Sequence, residues 1–181
     1  MHQPLADAEA VVFDLDGTLV RLAVDWSAVA GELRALLADA GVDADGWSVW
    51  ECYDRARDRG LEDAVESVLA EHEIAGAEAA DRLPAADLVA ELACPVGVCS
   101  LNAERACRTA LQRHGLDNAV EAVVGRDTVD AVKPDPAPLL AALGILGAEP
   151  AAAVFIGDGS RDEETARRAG VPFAYVDAVA P

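Results

Sequence analysis

Five short apolar runs punctuate the chain, at Ala10–Phe13, Val96–Cys99, Ala122–Val124, Ala153–Ile156 and Phe173–Val176. Between most of them apolar positions recur with helical spacing, over Ala85–Leu92, Ala103–His114, Pro136–Leu146 and Arg161–Ala169. Runs without polar alternation suit strands covered on both faces, and their alternation with amphipathic helices predicts an α/β fold with a Rossmann-like parallel sheet. The element ends agree: Pro136 suits a first helical turn, Gly170 follows the last helix, and Asn102 either caps the helix opening at Ala103, the favoured role, or reaches toward the strand ends.

Residues 21–83 break this rhythm. They hold no strand-like run and predict helices over Trp26–Ala40, Gly46–Arg59, Leu61–Ile74 and Ala77–Leu83, punctuated by Gly41, Gly60 and Gly76. A block of about sixty residues is too long for a connection and predicts a subdomain. The expected division is a catalytic core of residues 1–20 and 84–181, with a small all-helical cap of residues 21–83 inserted after the first strand. The short stretch after Tyr175 predicts that any final helix is shortened or absent.

Bulk composition narrows the function. The chain has 181 residues, 52% of them hydrophobic, enough for one well-buried core. A formal net charge of -19 argues against nucleic acid or an anionic membrane surface as partner. Strong acidity with arginine in place of lysine suggests a high-salt cytoplasm, where repulsion is screened within about 3 Å at 1 M salt. The first nine residues lack the basic flank and apolar region of a signal peptide, and no apolar run approaches membrane-spanning length, so a cytoplasmic protein is expected. Cys52, Cys94, Cys99 and Cys107 show no C-x-x-C spacing and read as small buried hydrophobes. His2, His72 and His114 share no motif, and oligomeric state has no signature. Asp43–Gly46 reads as a turn. Trp47 and Trp50 read as filling for the helical block, with a ligand-facing aromatic as the lesser alternative. Arg55, Arg57 and Arg59 read as solvated partners of neighbouring carboxylates, with one of them reaching a ligand carboxylate as the lesser alternative.

The polar residues at the strand ends carry the chemistry. The first run leads into Asp14 and Asp16, whose i, i+2 spacing puts both on one side of a strand, and the second ends at Ser100. Lys133 follows the third, and the fourth leads into Gly157-Asp158-Gly159-Ser160-Arg161-Asp162. Open parallel sheets bind ligands beyond these carboxyl ends. Several carboxylates there repel one another unless a hard divalent cation sits among them, and oxygen ligands completed by water and phosphate suit Mg²⁺. Lys133 is the only lysine in the chain, which suggests a compact point cation that a planar guanidinium cannot replace.

In order along the chain, Asp14-Leu15-Asp16-Gly17-Thr18, Ser100, Lys133-Pro134 and Gly157-Asp158 with Asp162 resemble the four motifs of the haloacid dehalogenase (HAD)-like hydrolase superfamily, in its phosphoglycolate phosphatase-like branch. The resemblance spans nearly the whole chain. It implies a HAD-like core with Asp14 as nucleophile, forming an aspartyl-phosphate, and Asp16 as general acid and base. It places Thr18, Ser100, Leu101 and Lys133 around the phosphate, with Thr18 also orienting Asp16. It gives Mg²⁺ to Asp14, the Asp16 carbonyl and Asp158, with Asp162 supporting the metal's waters or Lys133. Two positions depart from the family pattern: Leu101 separates Ser100 from Asn102, and Gly159 stands where relatives often have serine. Asp16 disfavours dehalogenation, the absence of lysine from 21–83 disfavours Schiff-base chemistry, and Thr18 disfavours a sugar-phosphate mutase. The implied activity is hydrolysis of a small phosphorylated metabolite, phosphoglycolate foremost. The alternative is a catalytically silent scaffold that binds a phosphorylated ligand.

Overall fold

Strand β1 (Ala10–Phe13) lies at the centre of a five-stranded sheet in the order β5-β4-β1-β6-β7, every pairing parallel. The others are β4 (Val96–Cys99), β5 (Ala122–Val124), β6 (Ala153–Gly157) and β7 (Phe173–Tyr175). In this computed structural model, residue 5 and residues 7–180 are described; His2 and most of the stretch screened for a leader lie outside them.

The period of two sends alternate side chains to opposite faces. Val11, Phe13, Val96, Val98, Val123, Val154 and Ile156 join one apolar cluster, while Ala10, Val12, Cys99, Val124, Ala153 and Phe155 join another. Both faces are covered, which is why the strands read as unbroken apolar runs. Helix α5 (Glu104–Arg113) contributes Ala106, Cys107, Ala110 and Leu111 to the first cluster, and α4 (Ala86–Glu91) adds Leu88 and Val89. Helix α6 (Ala137–Leu146) and α7 (Ser160–Ala169) cover the second face. The α/β Rossmann-like architecture is the expected one.

Between β1 and α4 the chain forms α1 (Trp26–Asp39), α2 (Val49–Arg57) and α3 (Glu62–Glu78), which enclose an apolar cluster that includes Val29, Leu33, Cys52, Val65 and Leu69. The fourth helix expected at Ala77–Leu83 is absent. Helix α3 continues past Ile74 through Gly76, where an added Cβ would press on Val24 and the Ala23 backbone. Beyond it, β3 (Asp81–Arg82) pairs antiparallel with β2 (Val20–Arg21). Two-residue strands are too short for any periodicity to register. Helix α2 opens at Val49 rather than Gly46 because Ser48 and Glu51 form a capping box. Ala70, Ile74 and Ala77 of α3 pack on the first sheet cluster, so this helix belongs to two apolar layers at once. No helix of the described residues is long and apolar enough to cross a membrane.

Candidate active site

Beyond the carboxyl ends of β1, β4 and β6 lies a cavity of about 310 Å³, lined by Asp14, Asp16, Ser100, Lys133, Asp158 and Asp162 among others. Asp14 continues the β1 ladder, its N–H donating to the Ile156 carbonyl at 2.8 Å. The chain then turns sharply: the Leu15 carbonyl accepts from the N–H groups of Thr18, Leu19 and Val20. Asp16 therefore stands on a turn, not on the strand face that the i, i+2 spacing suggested. Its carboxylate reaches the cavity because the Leu22 N–H holds Oδ1 at 2.8 Å. Gly17 makes this turn possible with φ +89°, and any side chain there would strike the Asp158 carboxylate.

Lys133 is buried and donates to Asp14 Oδ1 at 2.8 Å and Asp162 Oδ1 at 2.5 Å. Burial alone would strip its charge, but the carboxylates of Asp14 and Asp162 outweigh that and hold the ammonium above the ordinary lysine range. Burial pushes Asp14 up to about 7, against the pull of Lys133. Asp16 is raised by burial and, against the Leu22 N–H, by Asp158; Asp158 is raised by burial and by Asp162. One ammonium thus shares the cavity with four carboxylates, three of them raised chiefly by burial and secondarily by their acidic neighbours.

Oxygens of Asp14, Asp158 and Asp162 lie within 4.8 Å of one another, a hard-oxygen set that fits a divalent cation such as Mg²⁺. Both oxygens of Asp162 are already engaged, Oδ1 by Lys133 and Oδ2 by the Gly159 N–H at 3.2 Å. Asp14 and Asp158 are the members with carboxylate oxygens to spare, and Asp162 is better placed to fix Lys133.

Two expected roles need correction. Thr18 is fully buried, its Oγ1 has no hydrogen-bond partner, and it does not line this cavity, so it neither orients Asp16 nor faces a phosphate there. The turn at Leu15 aims it inward, away from the carboxylates. Asn102 does not cap α5: the N-cap is Ala103, and Asn102 Oδ1 accepts from Ser100 Oγ at 3.0 Å, on the cavity wall. Leu101 lines the cavity with Ser100, as expected.

The start of α5 is instead satisfied from a distance. The Ala103 N–H donates to Glu73 Oε2 at 2.8 Å and the Glu104 N–H to Asp127 Oδ1 at 2.7 Å. Glu73 and Glu66 of α3 both receive Arg126, whose side chain is wholly buried and also donates to the Leu101 carbonyl at 2.6 Å. Sequence reasoning missed this cluster. A faint signal existed: Glu73 interrupts the stripe of Val65, Leu69 and Gly76, at i, i+7 from Glu66. Also missed were Arg161 and Trp26, which line the cavity with Trp50. Trp47 instead packs on the α1–α3 cluster under Arg55, and Arg55, Arg57 and Arg59 do not line the cavity.

A parallel sheet whose strand tips gather four carboxylates and one lysine around a single cavity defines an α/β protein with a polar site at the carboxyl edge of its sheet. The chain belongs to the haloacid dehalogenase-like hydrolase family, whose model matches residues 8–170. It is 34% identical over 189 residues to a phosphoglycolate phosphatase of Rhodospirillum rubrum, covering 91% of this chain and 77% of that protein. It is 31% identical over 192 residues to an N-acetylmuramic acid 6-phosphate phosphatase of Pseudomonas aeruginosa, covering 93% and 81%. Among solved structures, CbbY from Rhodobacter sphaeroides in complex with phosphate superposes with a TM-score of 0.66 at 21% identity, over 93% of this chain and 85% of that one, a likeness of fold.

Proposed function

We propose that this protein is a Mg²⁺-dependent phosphatase that hydrolyses a small phosphomonoester through an aspartyl-phosphate on Asp14. The observation that carries this reading is the cluster itself: Asp14 held by Lys133 at 2.8 Å, with Asp16 and Asp158 on the same cavity. Curated relatives at 31–34% identity are phosphatases of phosphorylated metabolites, and phosphoglycolate is the favoured substrate class.

Asp14 attacks phosphorus with its free carboxylate oxygen while Lys133 steadies the other and takes up charge on the phosphoryl group. Asp16, whose burial favours its proton, gives that proton to the departing alcohol oxygen and then accepts one from the water that cleaves the aspartyl-phosphate. Ser100 Oγ and the Leu101 N–H hold non-bridging oxygens. Asp14, Asp158 and the Asp16 carbonyl would hold Mg²⁺, which when bound supplies charge neutralisation and polarises the phosphoryl oxygens. Asp162 keeps Lys133 in place. Residues 21–83, with α1–α3, act as the cap over the cavity, where Trp26 and Trp50 exclude water.

The test is a phosphomonoester panel with Mg²⁺, run at low salt and in molar KCl, on wild type and Asp14→Asn. Turnover that the substitution abolishes supports the reading. Binding of phosphorylated ligands without turnover in either protein overturns it in favour of a silent scaffold.

A further inference from the structure

The cavity has a second cation whose charge nothing else takes up. Arg161 stands between Asp158 and Asp162 in sequence, yet among the described residues its side chain joins no ion pair and donates no hydrogen bond. Its guanidinium lies over the Trp50 ring instead, 5.4 Å from the centroid. Lys133, by contrast, is engaged with Asp14 and Asp162. The arginines of α2 are occupied elsewhere: Arg55 stacks on Trp47, and Arg57 donates to the Asp130 carbonyl. Stacking on an indole pre-positions the Arg161 fork, so that less rotamer freedom is lost when an anion is bound.

Resting on the phosphatase reading above, we propose that Arg161 is a specificity-determining residue that pairs with a carboxylate on the leaving group, making the substrate class phosphorylated carboxylic acids. Size and charge agree. The cavity of about 310 Å³ must hold the phosphoryl group and the alcohol that carries it, which favours a compact acid. A single guanidinium matches the one charge of a carboxylate in bidentate geometry. A second phosphate, at about -1.5 to -2, would leave charge uncompensated in a cluster already short of cations. Arg161 comes from the first turn of α7, the same helix start whose Asp162 holds Lys133 at the phosphoryl end of the cavity.

The experiment compares 2-phosphoglycolate with ethyl phosphate, its isostere without the carboxylate, and with 1,2-ethanediol bisphosphate. Wild type should favour 2-phosphoglycolate over ethyl phosphate in kcat/KM. Arg161→Gln should collapse that ratio by ~30-fold through KM, the size of one lost charge-assisted pair. Arg161→Lys should recover part of it, because a point charge lacks the fork. Calorimetric binding to Asp14→Asn, with and without Arg161→Gln, reads the same difference without turnover. A ratio that Arg161→Gln leaves intact, or a preference for the bisphosphate that Arg161→Gln removes, overturns the assignment. If wild type hydrolyses none of the three but the binding difference persists, the phosphatase reading fails while the carboxylate subsite stands.

Discussion

Two buried ionic clusters lie on either side of the Ser100–Ala103 loop, and they are built on opposite principles. Around Arg126 the pairing is saturated: its Nε and both terminal nitrogens reach Glu66 and Glu73, and Glu73 Oε2 also accepts from the Ala103 N–H. Around Lys133 the pairing is deficient: one ammonium, two direct carboxylates, and Asp16 and Asp158 close by with oxygens to spare. Burial raises Glu73 in the first cluster and Asp14, Asp16 and Asp158 in the second. The first borders a cavity of about 250 Å³ through Glu66 and Arg126, whereas the second lines the one at the strand tips. A satisfied network fixes geometry, whereas one left short of positive charge is where the proposed function puts a cation and a phosphoryl group. The first serves the second, since Arg126 and Glu73 hold the Leu101 carbonyl and the Ala103 N–H of the loop that carries Ser100.

The contrast can be broken most severely at Asp14. Asp14→Asn should lower turnover at least ~10³-fold in steady-state assays while the thermal midpoint stays near wild type, because Lys133 keeps Asp162. Lys133→Arg should cost ~10²-fold, since a planar fork cannot take the place of a point donor between two carboxylates. Arg126→Met should show the opposite signature: about 3–5 kcal/mol lost in denaturant titration, because Glu73 is left buried without its partner, with a smaller fall in kcat. A rise in stability on losing Arg126 would show that the cluster is not the structural member of the pair.

If the deficient cluster holds Mg²⁺ as proposed, proton and cation compete there. Burial puts Asp14 at about 7 even with Lys133 beside it, so it binds a proton below that pH and offers a carboxylate above it. Mg²⁺ affinity measured calorimetrically should therefore weaken by ~10-fold per pH unit below 7 and level off above it. The smallest effect belongs to the surface of α7. Exposed Arg167 and Arg168 hold the Glu164 carboxyl down at about 2 from an ordinary 4.5. Its depressed value means the stabilisation is present above 4.5 and lost as pH falls toward 2. Glu164→Gln should lower the thermal midpoint slightly at neutral pH and progressively less as pH falls toward 2.

The sequence was most legible where one local rule decides the outcome. Strands buried on both faces must be continuously apolar, and Ala10–Phe13, Val96–Cys99 and Ala122–Val124 form as expected. The gathering of Asp14, Ser100, Lys133 and Asp158 at one cavity was legible too, because a parallel sheet brings its carboxyl ends together. What escaped depends on contacts distant in sequence. Nothing near Arg126 announces partners sixty residues upstream on α3. Asn102 has a capping residue's chemistry, but Glu73 and Asp127 reached the helix start first. Thr18 was placed by motif, and the turn at Leu15 put its hydroxyl elsewhere. Ser48-x-x-Glu51 is a local signal that marks the true start of α2, three residues after Gly46.

The most direct test of the deficient cluster is to quench wild type with acid during turnover of 2-phosphoglycolate and Mg²⁺, reduce any acyl phosphate with borohydride, and map the peptides. Reduction at Asp14, absent without Mg²⁺ or substrate, is the predicted result. Reduction at Asp16, Asp158 or Asp162 instead, or full turnover after Asp14→Asn, would contradict the account.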